Sequence, residues 1–250
     1  MTDEWQAKVQ KLRQIVTEKG HQAGGGWDHA WQTSLTPWDR GQGPQPALTS
    51  SYERDARTKN LLPQSAGGNA LVPGCGRGVD VEYLASRGFD KAVGVDLVQG
   101  AIDKAHNWLA SLPRQPWHDR ISFVALDYLS VGQDDESKLD LTAKSLFGSF
   151  DLVYDYTFFS ALPPALRPKV AASHAKVTKR GGKLFTVVYR LKVDGDGYDG
   201  SGPPFKVTPQ DYHDVLDAYF DLEFHGKPLE HAPGHEGIEE IMIWKRKEVE

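Results

Sequence analysis

From residue 69 onward, short apolar runs alternate with stretches in which apolar residues recur at the spacing of a helix. The apolar runs predict five strands, and the stretches between them predict three helices. The predicted strands are 69–73, 91–96, 121–125, 150–154 and 183–191, and the predicted helices are 79–87, 99–112 and 164–178. A helix opening at Thr208 and two strands, 220–225 and 238–246, are predicted to close the chain.

Strands that alternate with helices predict an α/β fold with an open, largely parallel sheet, and the last two strands predict an antiparallel edge. Ligands bind such sheets beyond the carboxyl ends of the strands. Polar and aromatic residues are concentrated at those predicted ends: 74–78, Asp96, Asp127, Tyr128, Asp155, Tyr156, Tyr189 and Arg190. The candidate functional site is therefore expected at this edge.

A glycine-rich turn follows the first predicted strand, with Gly74, Gly76 and Gly78 before the helix. Such a turn lets a ligand approach the backbone and the free N–H groups of the helix start, and Asp96, about twenty residues on, suits ribose hydroxyls. Val79 stands where a dinucleotide site has its third glycine, which favours S-adenosylmethionine over NAD. A turn that only joins strand to helix is the alternative.

The first 62 residues have a different character. Residues 4–19 predict an amphipathic helix that ends at Gly20, and 51–62 is a weaker helix candidate. Between them, Trp27, Trp31 and Trp38 lie in a polar, glycine-rich stretch, either as part of the core or as a lid over a site. We expect one domain, 1–250, with a helix and lid in 1–62 and a Rossmann-like core in 63–250.

The composition of the chain limits the kinds of partner that it is expected to bind. Twenty-nine Lys and Arg residues against 34 Asp and Glu residues give a net charge of −5, which argues against nucleic acid or an anionic membrane. No apolar run approaches the roughly 20 residues of a membrane helix, and the first residues are too acidic for a secretion signal, so a cytoplasmic protein is expected. A monomer is the default expectation.

Metal and disulfide chemistry are not expected. Cys75 is the only cysteine, so an internal disulfide and a cysteine metal site are excluded, and a small residue packed against backbone explains it better than a nucleophile. The histidines are scattered. His225, His231 and His235 lack an established ligand spacing and are expected to be solvated in a polar loop.

Several segments together resemble the thiopurine S-methyltransferase family, within it the thiol and halide methyltransferase branch. They are 36–41, 72–76, 93–96, 126–127, 151–163 and 202–207. The resemblance runs in chain order from about Trp31 to Trp244, and the combination is more specific than any one piece. It implies a class I methyltransferase fold with a seven-stranded sheet, and S-adenosylmethionine as methyl donor.

The resemblance also implies roles for matching residues. Gly74, Cys75 and Gly76 would face the methionine part of the donor, and Asp96 would hold the ribose. The remaining donor contacts would be Leu97 on adenine, Asp127 and Tyr128 at the adenine edge, Trp27, Trp31 and Trp38 in the lid, and Asp155 at the methyl-transfer mouth. The acceptor would contact Tyr156, Phe159, Tyr189 and Arg190.

Methyl transfer from a sulfonium to a thiolate disperses charge, so an apolar, aromatic enclosure favours it over water. We expect Tyr156 to orient the acceptor sulfur, and Asp155 to orient the tyrosine or to assist deprotonation. The alternatives are that Asp155 caps the turn after its strand, that Tyr156 and Phe159 only pack in the core, and that Arg190 makes a surface ion pair.

The expected acceptor is a small-molecule thiol, or both thiols of a dithiol such as reduced gliotoxin, with S-adenosylhomocysteine as the other product. Mammalian thiopurine enzymes have Asp-Arg-Gly where this chain has Asp155, Tyr156 and Thr157, so thiopurines are not expected as substrates. The alternatives are a halide or hydrosulfide methyltransferase, an NAD-dependent oxidoreductase and a non-catalytic module that binds S-adenosylmethionine.

Overall fold

A seven-stranded mixed sheet forms the centre of the computed structural model, which describes residues 3–20, 25–39, 41, 43–64, 67–133, 135–195 and 198–248. The strands are β1 (Asn69–Pro73), β2 (Lys91–Asp96), β3 (Ile121–Ala125), β4 (Phe150–Tyr156), β5 (Thr178–Tyr189), β6 (Phe220–Gly226) and β7 (Glu239–Arg246). Their order is β3-β2-β1-β4-β5-β7-β6. β1 to β5 pair in parallel, and β7 pairs antiparallel with both β5 and β6. The predicted α/β architecture is confirmed.

Ten helices pack around the sheet in the described part of the chain. They are α1 (Asp3–Lys19), α2 (Gly25–Gln32), α3 (Pro46–Glu53), α4 (Val79–Ser86), α5 (Gln99–Ser111), α6 (Tyr128–Val131), α7 (Leu141–Ser145), α8 (Phe158–Ala161), α9 (Arg167–Val177) and α10 (Pro209–Leu216). Short 3₁₀ turns occupy Pro116–Arg120, Glu136–Lys138 and Pro164–Leu166. The predicted helices of the core therefore form within a few residues of their expected bounds.

The helix predicted at 51–62 is wrong. Helix α3 instead begins at Pro46, where a proline without an N–H costs little, and ends at Glu53. Beyond it the Asp55 carboxylate accepts bonds from the Arg57 backbone N–H, at 3.0 Å, and from the Arg57 guanidinium. This local bonding favours consecutive turns over a continued helix.

Alternating residues of each strand face opposite sides of the sheet, which gives the core two halves. Leu71 of β1 packs among residues of α6, α7, α9 and α10, whereas its neighbours Ala70 and Val72 pack among residues of α3, α4 and α5. Because both faces are covered, the interiors of β1 and β2 are continuous apolar runs rather than alternating ones. No helix in the described residues is long and apolar enough to cross a membrane.

The two N-terminal helices pack as a pair. Leu12 and Val16 of α1 form a cluster with Ala30 of α2. Gly26 permits this contact, because a Cβ there would lie 2.5 Å from the Cα of Val16. Trp31 of α2 packs in turn on Val98 and Ala101, at the start of α5. The tryptophan-rich stretch is thereby placed beside the carboxyl end of β2.

Candidate active site

One cavity of about 550 Å³ opens at the carboxyl edge of the sheet. Its walls come from the turn after β1, the end of β2, the ends of β4 and β5, the N-terminal segment, and the loops before α10 and β7. This volume lies within the range of about 300–1,000 Å³ typical of small-molecule sites. The edge predicted to hold the site therefore contains a cavity of suitable size.

The glycine turn after β1 has a backbone that side chains would obstruct. Gly74, Gly76 and Gly78 have φ values of 59°, 52° and 81°, in the left-handed region that glycine adopts without strain. A Cβ on Gly74 would lie 2.7 Å from the Phe158 ring, and one on Gly78 would lie 2.4 Å from the Phe123 ring. The turn therefore requires glycine for its own packing as well as for any ligand.

Asp96 at the end of β2 fixes the shape of that turn. Its Oδ2 accepts a bond of 3.1 Å from the Gly76 N–H, and its Oδ1 accepts one of 3.0 Å from the Val98 N–H. Burial raises the pKa of the Asp96 carboxyl, and these two backbone N–H groups work in the opposite direction. Asp96 lines the cavity, so oxygen lone pairs not used by the backbone remain available to ligand hydroxyls.

Burial also raises the pKa values of two neighbouring side chains, Cys75 and Asp80. Burial raises the pKa of the Cys75 thiol well above its usual value, and the nearby Asp96 carboxyl raises it further. The thiol therefore stays protonated and is a poor nucleophile. Burial also raises the pKa of Asp80 to about 6, although its carboxylate accepts a 2.9 Å bond from the Gln45 N–H.

Three tryptophans form the part of the cavity wall beside the glycine turn. The Trp38 ring meets Trp27 at a centroid distance of 5.3 Å and Trp31 at 5.7 Å, both edge to face. Arg77 of the glycine turn forms a 3.0 Å ion pair with Asp39, next to Trp38. The tryptophan wall and the glycine turn are thus joined across one side of the cavity.

The other end of the cavity contains Tyr156, Tyr189 and His235. The rings of Tyr156 and Tyr189 lie 6.3 Å apart, and Tyr189 stacks on the His235 imidazole at 4.2 Å and 11°. Pro203, Pro204, Ala232 and Pro233 complete this largely apolar end.

The expectation that His235 is solvated is wrong. His235 is buried, and its Nδ1 bonds to Oε2 of Glu239 at 2.8 Å. His231 Nδ1 contacts Oε1 of the same carboxylate at 3.0 Å, whereas His225 pairs with Glu240. The four-residue spacing of His231, His235 and Glu239 is the sequence signal that could have connected them.

Most of the predicted site residues lie together in the cavity wall. Those in the wall are Trp27, Trp31, Trp38, Gly74, Cys75, Gly76, Asp96, Leu97, Tyr156 and Tyr189. Those outside it are Asp127, Tyr128, Asp155, Phe159 and Arg190. The structure therefore brings together the predicted donor turn, the tryptophans and the two tyrosines, and it separates five residues from them.

Asp155 lies behind the wall, so the structure does not support its direct contact with the reacting groups. It is 1% exposed, its Oδ2 lies 3.1 Å from His174 Nε2, and its Oδ1 accepts a 3.2 Å bond from the Phe159 N–H. The second of these bonds is the turn cap that was the alternative explanation.

Tyr128 continues this buried network rather than reaching the cavity. Its hydroxyl bonds to His174 Nδ1 at 3.0 Å, and burial raises the pKa of that hydroxyl well above its usual value. A protonated Tyr128 therefore donates to Nδ1, and His174 donates from Nε2 to Asp155. All three polar side chains are satisfied inside the core.

The other three residues have separate surroundings. Phe159 stacks on Tyr212 at 4.1 Å and is 1% exposed, so it packs in the core. Arg190 is buried rather than at the surface, with its guanidinium 4.8 Å from the centre of the Tyr198 ring. Asp127 is exposed and caps α6 by accepting a bond from the Leu129 N–H at 3.0 Å.

The cavity fits an adenosyl sulfonium in three respects. Asp96 presents carboxylate oxygens beside the glycine turn, as ribose hydroxyls require. Gly76 lines the cavity without a side chain, so a ligand can approach its backbone; a Cβ there would lie 3.4 Å from Trp31 and would occupy that space. The indole rings offer faces that attract cations without neutralising them.

Comparison with known proteins agrees with this geometry. The model of the thiopurine S-methyltransferase family matches residues 22–241. A probable thiol methyltransferase 2 from Arabidopsis thaliana is 33% identical over 89% of this chain and 85% of its own length. Thiocyanate methyltransferase 1 from Brassica oleracea is 32% identical over the same shares.

Solved structures confirm the predicted class of fold. A Burkholderia thailandensis 1,6-didemethyltoxoflavin N1-methyltransferase, solved with S-adenosylhomocysteine, has a TM-score of 0.62, 18% identity, and coverage of 98% of this chain and 89% of that one. A TehB-like S-adenosylmethionine-dependent methyltransferase from Corynebacterium glutamicum has a TM-score of 0.52, 17% identity, and coverage of 88% and 97%.

The family match spans most of the chain, from the tryptophan segment to β7. It confirms S-adenosylmethionine as the predicted cofactor and S-methyl transfer as the predicted chemistry. The chain belongs to the thiopurine S-methyltransferase family and is an S-adenosylmethionine-dependent S-methyltransferase.

Proposed function

We propose that this enzyme methylates the sulfur of a small, uncharged organic thiol. The observation that supports this most is the shared cavity: the glycine turn with Asp96 lies at one end, and Tyr156, Tyr189 and His235 lie at the other. Because donor and acceptor would bind side by side in one apolar cavity, the methyl group could pass directly from one to the other.

The donor end is formed by the chain's own backbone and carboxylate. When bound, S-adenosylmethionine supplies a methyl group on a positively charged sulfur. Asp96 would hold the ribose and Leu97 would lie against the adenine, while the exposed Asp127 stays a proposal for the outer edge of the adenine site. The proposed lid, residues 1–62, would cover the core of residues 63–250. Its three tryptophans, Trp27, Trp31 and Trp38, would exclude water from the cavity between lid and core.

The acceptor end favours an uncharged thiol over an inorganic anion. Among the described residues that line the cavity, Arg77 is the only lysine or arginine, and its guanidinium is paired with Asp39. A dithiol such as reduced gliotoxin falls within this class, with two methylations after donor exchange. Thiocyanate is the inorganic anion to compare with thiols, because one relative is named thiocyanate methyltransferase 1.

The test is incubation of the purified protein with S-adenosylmethionine and a panel of acceptors, followed by mass spectrometry of the products. The panel contains an aryl thiol, an alkyl thiol, a dithiol, the alcohol analogue of the alkyl thiol, thiocyanate and iodide. We expect S-methylated thiols and S-adenosylhomocysteine, with no product from the alcohol. Turnover of thiocyanate or iodide alone would contradict the proposal.

Tyr156→Phe tests the proposed orientation of the acceptor. Tyr156 lines the cavity, and loss of its hydroxyl should lower kcat/KM for thiols about tenfold, the cost of one hydrogen bond of about 1.4 kcal/mol. The donor Kd should stay within about twofold of the wild-type value. Steady-state kinetics and titration calorimetry measure the two quantities. An unchanged kcat/KM for every accepted thiol would remove Tyr156 from the mechanism.

Trp38→Ala tests the proposed lid. Trp38 is 38% exposed yet contacts both other indoles, so its loss should open the wall and weaken donor binding about tenfold. Trp38→Phe should retain most of the affinity. Trp117→Ala is the matched control, because Trp117 bonds to Glu82 away from the cavity. Equal donor affinity in the wild type and Trp38→Ala, measured by calorimetry, would contradict the lid.

A further inference from the structure

We propose that His235 is the catalytic base that takes the proton from the acceptor thiol. This inference rests on the proposed thiol methylation and adds the residue that forms the thiolate. A thiol ionises near pH 8.5 or higher, so at neutral pH most of an alkyl thiol carries its proton. A base at the acceptor end would increase the reactive fraction where it is needed.

His235 has the position that this role requires. Its ring lines the cavity, on the same wall as Tyr156 and Tyr189. It stacks on Tyr189 at 4.2 Å with an interplanar angle of 11°, so the plane of the imidazole is fixed. The backbone holds the residue as well, through bonds from the His235 N–H to the Ala232 carbonyl and from the Ile238 N–H to the His235 carbonyl.

Glu239 determines which ring nitrogen carries the proton. The Glu239 side chain is fully enclosed and lies 2.8 Å from His235 Nδ1. An ionised carboxylate only accepts hydrogen bonds, so Nδ1 donates and Nε2 keeps its lone pair. None of the described residues hydrogen-bonds Nε2 of His235, which leaves that nitrogen as a proton acceptor in the cavity wall.

Glu239 has two further hydrogen-bond partners besides His235. His231 Nδ1 lies 3.0 Å from Oε1, and the Gln45 amide donates to Oε2 at 3.4 Å. Glu239 begins β7 and pairs in register with Tyr189 of β5, so the sheet itself fixes the carboxylate below the imidazole. A buried carboxylate with three hydrogen-bond partners and a rigid backbone can hold the His235 ring in one orientation.

Proton transfer to His235 and methyl transfer to sulfur together account for every bond and proton. The thiol proton moves to Nε2 of His235, and the electron pair of the S–H bond stays on the acceptor sulfur. The acceptor sulfur forms a bond to the methyl carbon while the bond between that carbon and the donor sulfur breaks. The electron pair of the broken bond stays on the donor sulfur. The imidazolium then returns its proton to solvent as the products leave.

Other acidic or basic groups near the cavity fit this role less well. Asp155 is enclosed with His174 and lies outside the cavity wall. Asp80 lies in the first turn of α4, and its carboxylate receives the Gln45 N–H. His235 is the group that combines a place among the acceptor-end residues with an available lone pair.

The test compares His235→Asn with the wild type on two thiols of different acidity. The asparagine amide can still donate to Glu239, so the variant removes Nε2 and keeps the bond at the Nδ1 position. For an alkyl thiol, kcat/KM should fall about 100-fold, as expected for loss of a general base. For an aryl thiol acidic enough to be ionised already, kcat/KM should change less than about threefold, and the donor Kd should not change.

Two further variants sharpen the result. Glu239→Gln should lower alkyl-thiol turnover less than His235→Asn does, with the same preference for the acidic thiol. His225→Asn is the matched control, because His225 pairs with Glu240 outside the cavity, and both rates should stay at the wild-type value. If His235→Asn fails to fold, His235→Gln is tested with the same pair of thiols.

The outcomes separate the base from the function. Equal losses on both thiols, or no loss on the alkyl thiol, would overturn the role of His235 while thiol methylation stands. A wild-type enzyme that methylates neither thiol would overturn the proposed function together with this inference. Selective loss on the alkyl thiol supports both.

Discussion

Asp96→Asn should weaken S-adenosylmethionine binding about 100-fold or more. The carboxylate accepts bonds from the N–H groups of Gly76 and Val98, and it faces the cavity. Bonds to a charged group contribute about 1.5–3 kcal/mol each, and an amide presents a donor where one of these bonds needs an acceptor. The variant therefore loses both the shape of the glycine turn and the partner of the ribose hydroxyls.

Titration calorimetry with the donor measures this effect, and Asp151→Asn provides the control. Asp151 also accepts a backbone bond, of 2.7 Å from the Asn69 N–H, but at the opposite end of the sheet and outside the cavity. This control should lose stability and keep its donor affinity. If Asp96→Asn binds the donor within about threefold of the wild type, the donor is not held at the end of β2.

Asp155→Ala should lower the free energy of unfolding by about 3–5 kcal/mol, since it leaves buried partners without a counterpart. The side chain is 1% exposed and bonds to both His174 and the Phe159 N–H. Loss of the carboxylate would leave an imidazole N–H inside the core with nothing to accept it. The predicted effect is therefore mainly on folding, with lower activity as a consequence.

Chemical denaturation followed by circular dichroism measures this loss, and Tyr156→Phe is the adjacent control. That control should stay within about 1 kcal/mol of the wild type, because it removes one hydroxyl at a cavity wall rather than a buried charge. Asp155→Asn should be intermediate, since the amide can still accept one bond. If Asp155→Ala keeps full stability and loses only turnover, the original catalytic interpretation of Asp155 is correct.

Local patterns were sufficient to predict the sheet and the glycine turn at its carboxyl edge. The runs that end at Pro73 and Asp96 coincide with β1 and β2, because a strand covered on both faces must be apolar along its length. The glycine turn was predictable for a similar reason: positive φ values and close contacts with Phe123 and Phe158 require residues without a side chain. The place of Asp96 beside the turn was expected from its distance along the chain, and its contact with a ribose stays a prediction.

The side-chain surroundings that the sequence did not predict depend on long-range contacts. Asp155 and Tyr156 are neighbours in the sequence, yet alternation along β4 sends one toward His174 and the other into the cavity wall. His235 looked solvated because its loop is polar, and only pairing of β7 with β5 brings Glu239 and Tyr189 to its ring. Phe159 likewise depends on Tyr212 of α10, a partner far along the chain.

A crystal structure with S-adenosylhomocysteine and an alkyl thiol would show whether donor and acceptor share the cavity. We expect ribose hydroxyls within hydrogen-bond distance of the Asp96 carboxylate, tryptophan rings over the adenosyl group, and the thiol sulfur between Tyr156 and His235. An adenosyl group bound away from Asp96, or a thiol held outside the cavity, would contradict this expectation.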